Sequence, residues 1–254
     1  MPNSWFQFRQ FRVEQDQCGM KVSTDACVFG GLLIHIMKEL PAAARALDIG
    51  TGTGLLSLML AQEFPSLHID AVEIDRDAYR QACYNIEQSP WGGRIRCHHG
   101  RIQEYGQDSR PQYDLIICNP PFFTGHLPAA EAKRQLARHT ASLSHAELLQ
   151  AISRMLLPGG LAGMLYPASE EGRVASELER SGLEVCKKIK IYPSHNKDYN
   201  RVVYILSDKI QVLDFADHFY LRGSDNAYSS DYKALLQNFL LEKNNFLEKK
   251  ISIN

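Results

Sequence analysis

The chain has 254 residues and a formal net charge of −1, with 28 Lys and Arg against 29 Asp and Glu. This balance excludes a protein that binds nucleic acid through bulk positive charge, so any such binding must come from local patches. Its hydrophobic content of 44% suffices for one large core, alone or with a small appendage. No stretch approaches the roughly 18 apolar residues of a membrane span, and the amino terminus lacks a secretion-signal pattern, so we expect a cytoplasmic protein without membrane contact.

The six cysteines form no C-x-x-C pair and lie within or beside apolar runs. This pattern favours reduced, mostly buried thiols over disulfides or a zinc site. We therefore expect that the protein binds no metal.

Strand and helix patterns alternate along the middle of the chain. Apolar runs predict seven strands, at 44–50, 67–74, 94–99, 113–118, 161–167, 183–192 and 201–207. Helical periodicity predicts helices from Asp25 to about Lys38 and at 54–64, 76–88, 144–157 and 170–182. Short buried strands that alternate with helices favour an α/β fold with a doubly wound, mainly parallel sheet.

Two segments are expected to lie outside this sheet. The first 43 residues hold the aromatic-rich run "WFQFRQF", and residues 208–241 contain a strand pattern, "HFYLRG", followed by a helix pattern, "SSDYKALLQNFLL". The last residues, 242–254, mix charge with few core-forming side chains, which predicts a fraying tail.

The first motif with chemical meaning is "DIGTGTG", which follows the first predicted strand. Gly50, Gly52 and Gly54, with Thr51 between the first two, let the backbone turn sharply and approach a ligand, and the next helix presents free N–H groups. Asp48 stands two positions before the first of these glycines, where a carboxylate suits a ligand that carries an ammonium group. Taken alone, the motif also fits an ordinary strand-to-helix turn.

The second motif, Glu73 and Ile74 in "VEID", ends the second predicted strand. In a doubly wound fold an acidic side chain at this tip can accept hydrogen bonds from both hydroxyls of a ribose. A carboxylate at a strand tip is more often a plain surface charge, but the two motifs in this order favour a nucleoside site.

Together, "LDIGTGTG" and "VEID" resemble the glycine-rich and ribose-binding motifs of the class I S-adenosylmethionine-dependent methyltransferases, over residues 44 to 207. The resemblance implies a Rossmann-like sheet of seven strands with the last antiparallel. It also implies S-adenosylmethionine as the cofactor, held by the two motifs and by Ile102 after the third strand.

The stretch "NPPF", Asn119 to Phe122, follows the fourth strand and resembles the [N/D]-P-P-[F/Y/W] motif of methyltransferases that modify a planar NH2 nitrogen. The oxygen of the Asn119 amide and the carbonyl of Pro120 can each accept one N–H, which frees the nitrogen lone pair for attack. Pro120 and Pro121 stiffen the backbone, and Phe122 can stack on an extruded base. The alternative is a proline-stiffened turn with two buried phenylalanines.

A narrower resemblance extends over residues 5–241. "QDQCGMKVSTDACVFG", "NPPFF", "ARHTASLSH" and "LRGSDNAYSSDYKALLQNFLL" are similar to the bacterial tRNA1(Val) adenine-37 N6-methyltransferase family. This resemblance implies an amino-terminal extension, 1–43, packed on the core, and a methyltransferase domain, 44–241, with a substrate insertion at 123–143 and a carboxy-terminal strand and helix at 208–241. The tail is 242–254.

The resemblance to this family implies that Thr24 and Asp25 help hold the methionine end of the cofactor. The alternative is that one of them is an ordinary helix cap. The chain departs from its relatives at Arg101, where an acidic residue usually meets the adenine of the cofactor. Arg101 cannot accept that hydrogen bond, so adenine recognition falls to the backbone or to another side chain such as Gln103.

The implied partner is the anticodon stem-loop of a tRNA, bound by a monomer. The basic candidates for this contact, which could equally form a solvated face, are Arg9, Arg12, Lys133, Arg134, Arg138, His139, Lys197 and Arg201, with Lys187, Lys188, Lys190 and His195 as further members. Three other functions stay open at this point: methylation of a release-factor glutamine amide, methylation of a ribosomal RNA base, and a non-catalytic RNA-binding role.

Overall fold

The structure is a computed structural model that describes residues 3–38, 43–107, 112–120 and 143–241. Its strands are β1 (Trp5–Gln7), β2 (Arg12–Glu14), β3 (Arg45–Ile49), β4 (His68–Glu73), β5 (Ile95–His99), β6 (Tyr113–Cys118), β7 (Leu156–Pro167), β8 (Glu184–Tyr192), β9 (Arg201–Ser207) and β10 (His218–Tyr220). The helices of these ranges are α1 (Thr24–Lys38), α2 (Leu55–Glu63), α3 (Arg76–Glu87), α4 (His145–Met155), α5 (Glu171–Ser181) and α6 (Ser230–Leu236).

The main sheet has the strand order β10-β8-β9-β7-β6-β3-β4-β5. β9 runs antiparallel to β7 and β8, and all other neighbours are parallel. The central strands are almost fully buried because helices cover both faces of the sheet, as a near-continuous apolar run such as "YDLIIC" requires. The predicted α/β, doubly wound fold is therefore confirmed.

The sheet differs from the expectation in one strand. The "HFY" segment was predicted outside the sheet, and that placement is wrong: β10 pairs in parallel with the edge of β8. The reason is local, since β8 would otherwise expose a row of unpaired backbone groups and Phe219 needs burial. In the part of the chain that the structure describes, the sheet therefore has eight strands instead of the seven predicted.

β7 begins earlier than predicted, at Leu156 instead of residue 161. The segment "PGG" at 158–160 indicates a break, yet the structure carries the strand through it with a bulge. Between the pairs Tyr113 with Leu156 and Leu115 with Leu161, β7 uses more residues than β6 does. A positive φ of 79° at Gly159 makes this possible.

The aromatic run near the amino terminus forms a small antiparallel hairpin of β1 and β2, which the sequence did not predict as strands. Phe8, Phe11 and Val13 are buried in the same core cluster as α1 and α2. The backbone N–H of Arg9 donates to the carbonyl of Phe239, 2.8 Å away, so the first and the last described segments are joined. The division into an extension, a domain and a tail at residues 43 and 241 stays a prediction.

Candidate active site

The glycine-rich loop connects β3 to α2 and takes a conformation that only glycine adopts readily. Gly50, Gly52 and Gly54 have φ values of 69°, 58° and 82°. A Cβ atom added at Gly50 or Gly52 would meet no heavy atom within 4 Å, so the outer side of the loop is open to a ligand. The N–H groups of Gly50 and Thr51 donate to the carbonyl of Val72, which ties the loop to β4.

Asp48 lies beneath this loop with no exposed surface. Its Oδ2 accepts hydrogen bonds from the hydroxyls of Thr51, at 2.6 Å, and Ser57, at 2.8 Å, whereas its Oδ1 is buried without a partner. Burial raises the pKa of the Asp48 carboxyl to about 6, although the two hydroxyls oppose the rise. Asp48 therefore holds the loop and keeps one oxygen unsatisfied below it.

Glu73 ends β4 and faces the same loop. Its Oε2 accepts the N–H of Gly52 at 2.9 Å, and its Oε1 accepts the N–H of Asp75 at 2.9 Å. Burial raises the pKa of the Glu73 carboxyl above its ordinary value. Each carboxylate oxygen has a further lone pair, so the residue can still accept two hydroxyl hydrogens.

The predicted cofactor residues after β4 and β5 take different positions. Ile74 is exposed over 40% of its surface, and Ile102 is buried. The Gln103 amide donates to Glu147 at the start of α4, 3.4 Å away, so Gln103 is already engaged. Arg101 is exposed on the same turn.

Asn119 follows β6 at the edge where the glycine loop leaves β3, because Cys118 pairs in register with Ile49. Asn119 is half-buried and Pro120 is buried. Within the described part of the chain the Asn119 amide has no hydrogen-bond partner, so its oxygen is available to a ligand. Pro121 and Phe122 lie outside the described residues.

Ser23 caps α1, since its hydroxyl accepts the N–H of Ala26 at 3.2 Å. The alternative that Thr24 or Asp25 serves as the cap is therefore wrong. Asp25 instead forms an ion pair with Arg201 at the start of β9, with 2.9 Å between Oδ2 and Nε. The structure thus joins a predicted cofactor residue to a predicted RNA-binding residue.

The other predicted RNA contacts are scattered. Arg9 Nε donates to the carbonyl of Leu240, and Arg12 pairs with Glu14 and lies over the Trp5 ring. Lys197 is exposed in the loop between β8 and β9. Lys133, Arg134, Arg138 and His139 lie outside the described residues.

Some supports of the site carry no motif that the sequence could reveal. Asn85, buried in α3, donates from Nδ2 to the carbonyls of Thr53 and Glu14 and thereby couples the glycine loop to the amino-terminal hairpin. The Arg154 guanidinium donates to the carbonyl of Ile102 and to those of the two nearby residues Gln103 and Tyr105. Asn85 and Arg154 are single polar residues on amphipathic helices, and no local sequence pattern identifies such residues as supports of a site.

The amino-terminal segment also approaches the site. Burial raises the pKa of the Cys18 thiol to about 12, and the carboxylates of Glu73 and Asp75 add to the rise. The backbone N–H of Gln17 donates to Oε1 of Gln81 at 3.1 Å, so this segment lies against α3, the helix that follows β4.

These residues fit S-adenosylmethionine. The open space at Gly50 and Gly52 admits a ligand close to the backbone, and Glu73 offers acceptors for a ribose. The unsatisfied oxygen of Asp48 gives the loop an uncompensated negative charge, which suits a cationic ligand. Among the described residues no group of three or more potential metal ligands occurs, and no helix is long and apolar enough to cross a membrane.

The sheet order and the two carboxylates at the glycine loop define a class I methyltransferase, which uses S-adenosylmethionine. Residues 25–149 match the methyltransferase small domain family. The structure resembles that of a predicted O-methyltransferase of Agrobacterium tumefaciens with a TM-score of 0.61, at 14% identity over 84% of this chain and 96% of that one.

Sequence relatives are more specific. A tRNA1(Val) (adenine(37)-N6)-methyltransferase of Cytophaga hutchinsonii is 39% identical over 95% of this chain and 99% of its own length. A protein of the same name from Dyadobacter fermentans is 44% identical over 79% of this chain and 81% of its own. The chain belongs to the tRNA1(Val) (adenine(37)-N6)-methyltransferase family.

Proposed function

We propose that this protein methylates N6 of adenine 37 in the anticodon loop of tRNA1(Val). The observation that carries the proposal is the Asn119 amide, half-buried and without a partner in the described chain, at the sheet edge beside the glycine loop. The names of the relatives support the choice of substrate. S-adenosylmethionine, when bound, supplies the electrophilic methyl group.

The work of the chain is to make a poor nucleophile reactive. The lone pair of an adenine amino group is delocalised into the ring. The Asn119 side-chain oxygen and the Pro120 carbonyl can each accept one of the two N–H groups, which draws the nitrogen toward tetrahedral geometry. Because both acceptors are fixed by a strand end and a proline, little reorganisation is needed in the transition state.

We assign the cofactor to Asp48, Gly50, Thr51, Gly52, Gly54, Glu73, Ile74 and Ile102, with Thr24 and Asp25 near its methionine end. Pro121 and Phe122 complete the substrate edge. An anticodon loop already presents unpaired bases, so the enzyme has only to pull one out of its stack. We further propose that the protein acts as a monomer and that it acts in the cytoplasm, where its tRNA substrate is found.

The test is single-turnover methylation of tRNA1(Val) transcripts, followed by nucleoside mass spectrometry. Asn119→Ala leaves one N–H of the target without an acceptor, so the rate should fall about 10²–10³-fold while tRNA and cofactor affinities stay near wild type. Asn119→Asp keeps an acceptor oxygen and should retain more of the rate. A wild-type rate for Asn119→Ala would refute the assignment.

Phe122→Ala should act on binding instead. Loss of the ring should weaken engagement of the target base by about 1–3 kcal/mol, the usual value of an aromatic stack on a base.

Methyl transfer by the wild type to a release-factor glutamine or to ribosomal RNA, in place of tRNA, would contradict the proposed substrate. The absence of any transfer despite tRNA binding would favour the non-catalytic alternative.

A further inference from the structure

A cluster of stacked aromatic rings lies at the ends of β8 and β10. Tyr192 ends β8 and Tyr220 ends β10, and the two are register partners on the same face of the sheet. Their ring centroids are 4.8 Å apart with planes at 28°. His195, in the loop after β8, stacks on Tyr220 at 4.0 Å and 16°. Tyr199 meets the edge of Tyr192 at 5.7 Å.

Cationic side chains accompany this stack. Lys190 lies over the ring of Tyr199, with 4.5 Å from Nζ to the centroid, and Lys197 is exposed on the same loop, beside the exposed Asp198. Two further lysines of β8 are paired with acids, Lys187 with Asp217 and Lys188 with Glu171. Lys190 and Lys197 form no ion pair within the described residues, so they are available to phosphates.

The cluster shares an edge of the sheet with the candidate active site. β8 and β10 are parallel to β6, so their carboxyl ends, and the loop after β8, lie at the edge where Asn119 follows β6. β8 is three strands from β6 and β10 is four, which places the rings about 15–20 Å from Asn119 at the usual strand spacing. That distance corresponds to about four to six stacked nucleotides at 3.4 Å each.

We propose that Tyr192, His195 and Tyr220, with Lys190 and Lys197, form a second RNA contact on which an unpaired base of the same tRNA stacks. The inference rests on the proposed function and names where the substrate is held outside the target-base pocket. Rings on which bases stack, beside cations that track phosphates, are the usual chemistry of single-stranded nucleic-acid binding. A protein partner is less suited, because the cores of protein interfaces are depleted of lysine.

Binding to the full-length protein tests the proposal, with three RNA probes measured by fluorescence anisotropy: the tRNA1(Val) transcript, its isolated anticodon stem-loop and a blunt RNA duplex. His195→Ala removes an exposed ring without touching the pairing of β8 with β10. Tyr220→Ala removes the central ring, and Tyr220→Phe keeps it. Tyr84→Ala removes an exposed tyrosine on α3 as a matched control.

Tyr220→Ala and His195→Ala should weaken binding of the transcript and the stem-loop by about 5–100-fold, the range of a lost base stack. Tyr220→Phe and Tyr84→Ala should bind like the wild type, and calorimetric affinity for S-adenosylmethionine should be unchanged throughout. Three results would rule out this second RNA contact. Both ring-removing variants could bind the stem-loop normally, their binding of the duplex could fall as much as their binding of the stem-loop, or their affinity for S-adenosylmethionine could fall in parallel. If the wild type binds the stem-loop and the two ring-removing variants lose this binding, but no adenine in it is methylated, the proposed function fails and the second RNA contact stands.

Discussion

Asp48 is a carboxylate with no exposed surface and with one oxygen that receives no hydrogen bond. Its pKa of about 6 means that the free protein begins to take up a proton just below neutral pH. A cationic ligand at the loop lowers this pKa, so binding releases the proton and affinity rises as pH increases through 6. We expect S-adenosylmethionine to bind about 3–10-fold more tightly at pH 7 than at pH 5 in calorimetric titrations.

Asp48→Asn is the variant that separates charge from shape. It should remove most of this pH dependence and weaken binding at pH 7, because the loop keeps its geometry but loses its charge. The folded-state pKa is raised above the unfolded value, so the ionised carboxylate lowers stability above about pH 6, and Asp48→Asn should melt no lower than the wild type at pH 7.5. An unchanged pH profile in this variant would show that Asp48 does not sense the ligand.

Glu73 joins two backbone N–H groups and has lone pairs to spare for a ribose. Glu73→Ala should weaken S-adenosylmethionine binding by about 1.5–3 kcal/mol, the scale of hydrogen bonds to a charged group. Asp75→Asn is the control, since it keeps the oxygen that caps α3 and removes a neighbouring charge. Equal affinities of Glu73→Ala and the wild type would remove Glu73 from the site.

Arg101 is exposed where an acid would be expected, and Gln103 is held by Glu147. We therefore expect the adenine of the cofactor to be read by the backbone of this turn, which Arg154 fixes through three carbonyls. Arg101→Asp should leave the affinity for S-adenosylmethionine unchanged or improve it. A large loss in a variant that still folds would mean that Arg101 itself makes an essential contact.

At the scale of elements, two glycines of α1 decide how closely its neighbours pack. A Cβ at Gly31 would stand 2.9 Å from Leu235 Cγ on α6, and one at Gly30 would stand 3.0 Å from Met59 on α2. Gly31→Val should lower the free energy of unfolding by about 1–3 kcal/mol through overpacking. Chemical denaturation measures this change.

Two further variants test whether overpacking causes the loss of stability in Gly31→Val. Adding Leu235→Ala to Gly31→Val should restore part of the loss, because it removes the atoms in the way. Gly172→Ala, at a helical position where a Cβ meets nothing within 4 Å, should be neutral or mildly stabilising. If Gly172→Ala and Gly31→Val change stability alike, close packing of α1 is not the cause.

The strands differ in how well the sequence predicts them. β3, β4 and β6 were predictable because each is a short stretch rich in apolar residues that a turn signal follows. The hairpin of β1 and β2 was missed because strands of three residues show no periodicity. β10 was placed outside the sheet because nothing in "HFY" says which edge is free to receive it.

The same difference appears in the site. The glycine loop and Glu73 are adjacent in space because they end neighbouring parallel strands, which a motif order can reveal. The partnership of Asp25 with Arg201 joins residues far apart in the chain, and Asn85 supports the loop from another helix. Such contacts depend on the complete fold, so no local pattern encodes them.

For the whole molecule, a net charge of −1 limits how much of tRNA binding can be electrostatic. Of the predicted RNA contacts, Arg12 and Arg201 are paired with carboxylates and Arg9 donates to a backbone carbonyl. This leaves the lysines that form no ion pair among the described residues, Lys190 and Lys197, and the basic residues of the insertion. We expect the logarithm of the tRNA association constant to fall with the logarithm of salt concentration with a slope of about −2 to −5.

Single variants refine this measurement. Lys197→Ala should make the slope shallower by about one unit, as a lost phosphate contact does, whereas Arg12→Ala should leave it unchanged. A wild-type slope near −10, as for strongly basic nucleic-acid binders, would contradict this picture of binding by shape and stacking.

The bond between Arg9 and Phe239 has a consequence for biogenesis. A nascent chain emerges from the ribosome with its amino terminus first, so the hairpin that contains Arg9 must wait for residues 239 and 240 before this contact can form. Through Asn85 that hairpin is coupled to the glycine loop. The contact between Arg9 and Phe239 therefore forms only after the strands and helices around the glycine loop have already left the ribosome.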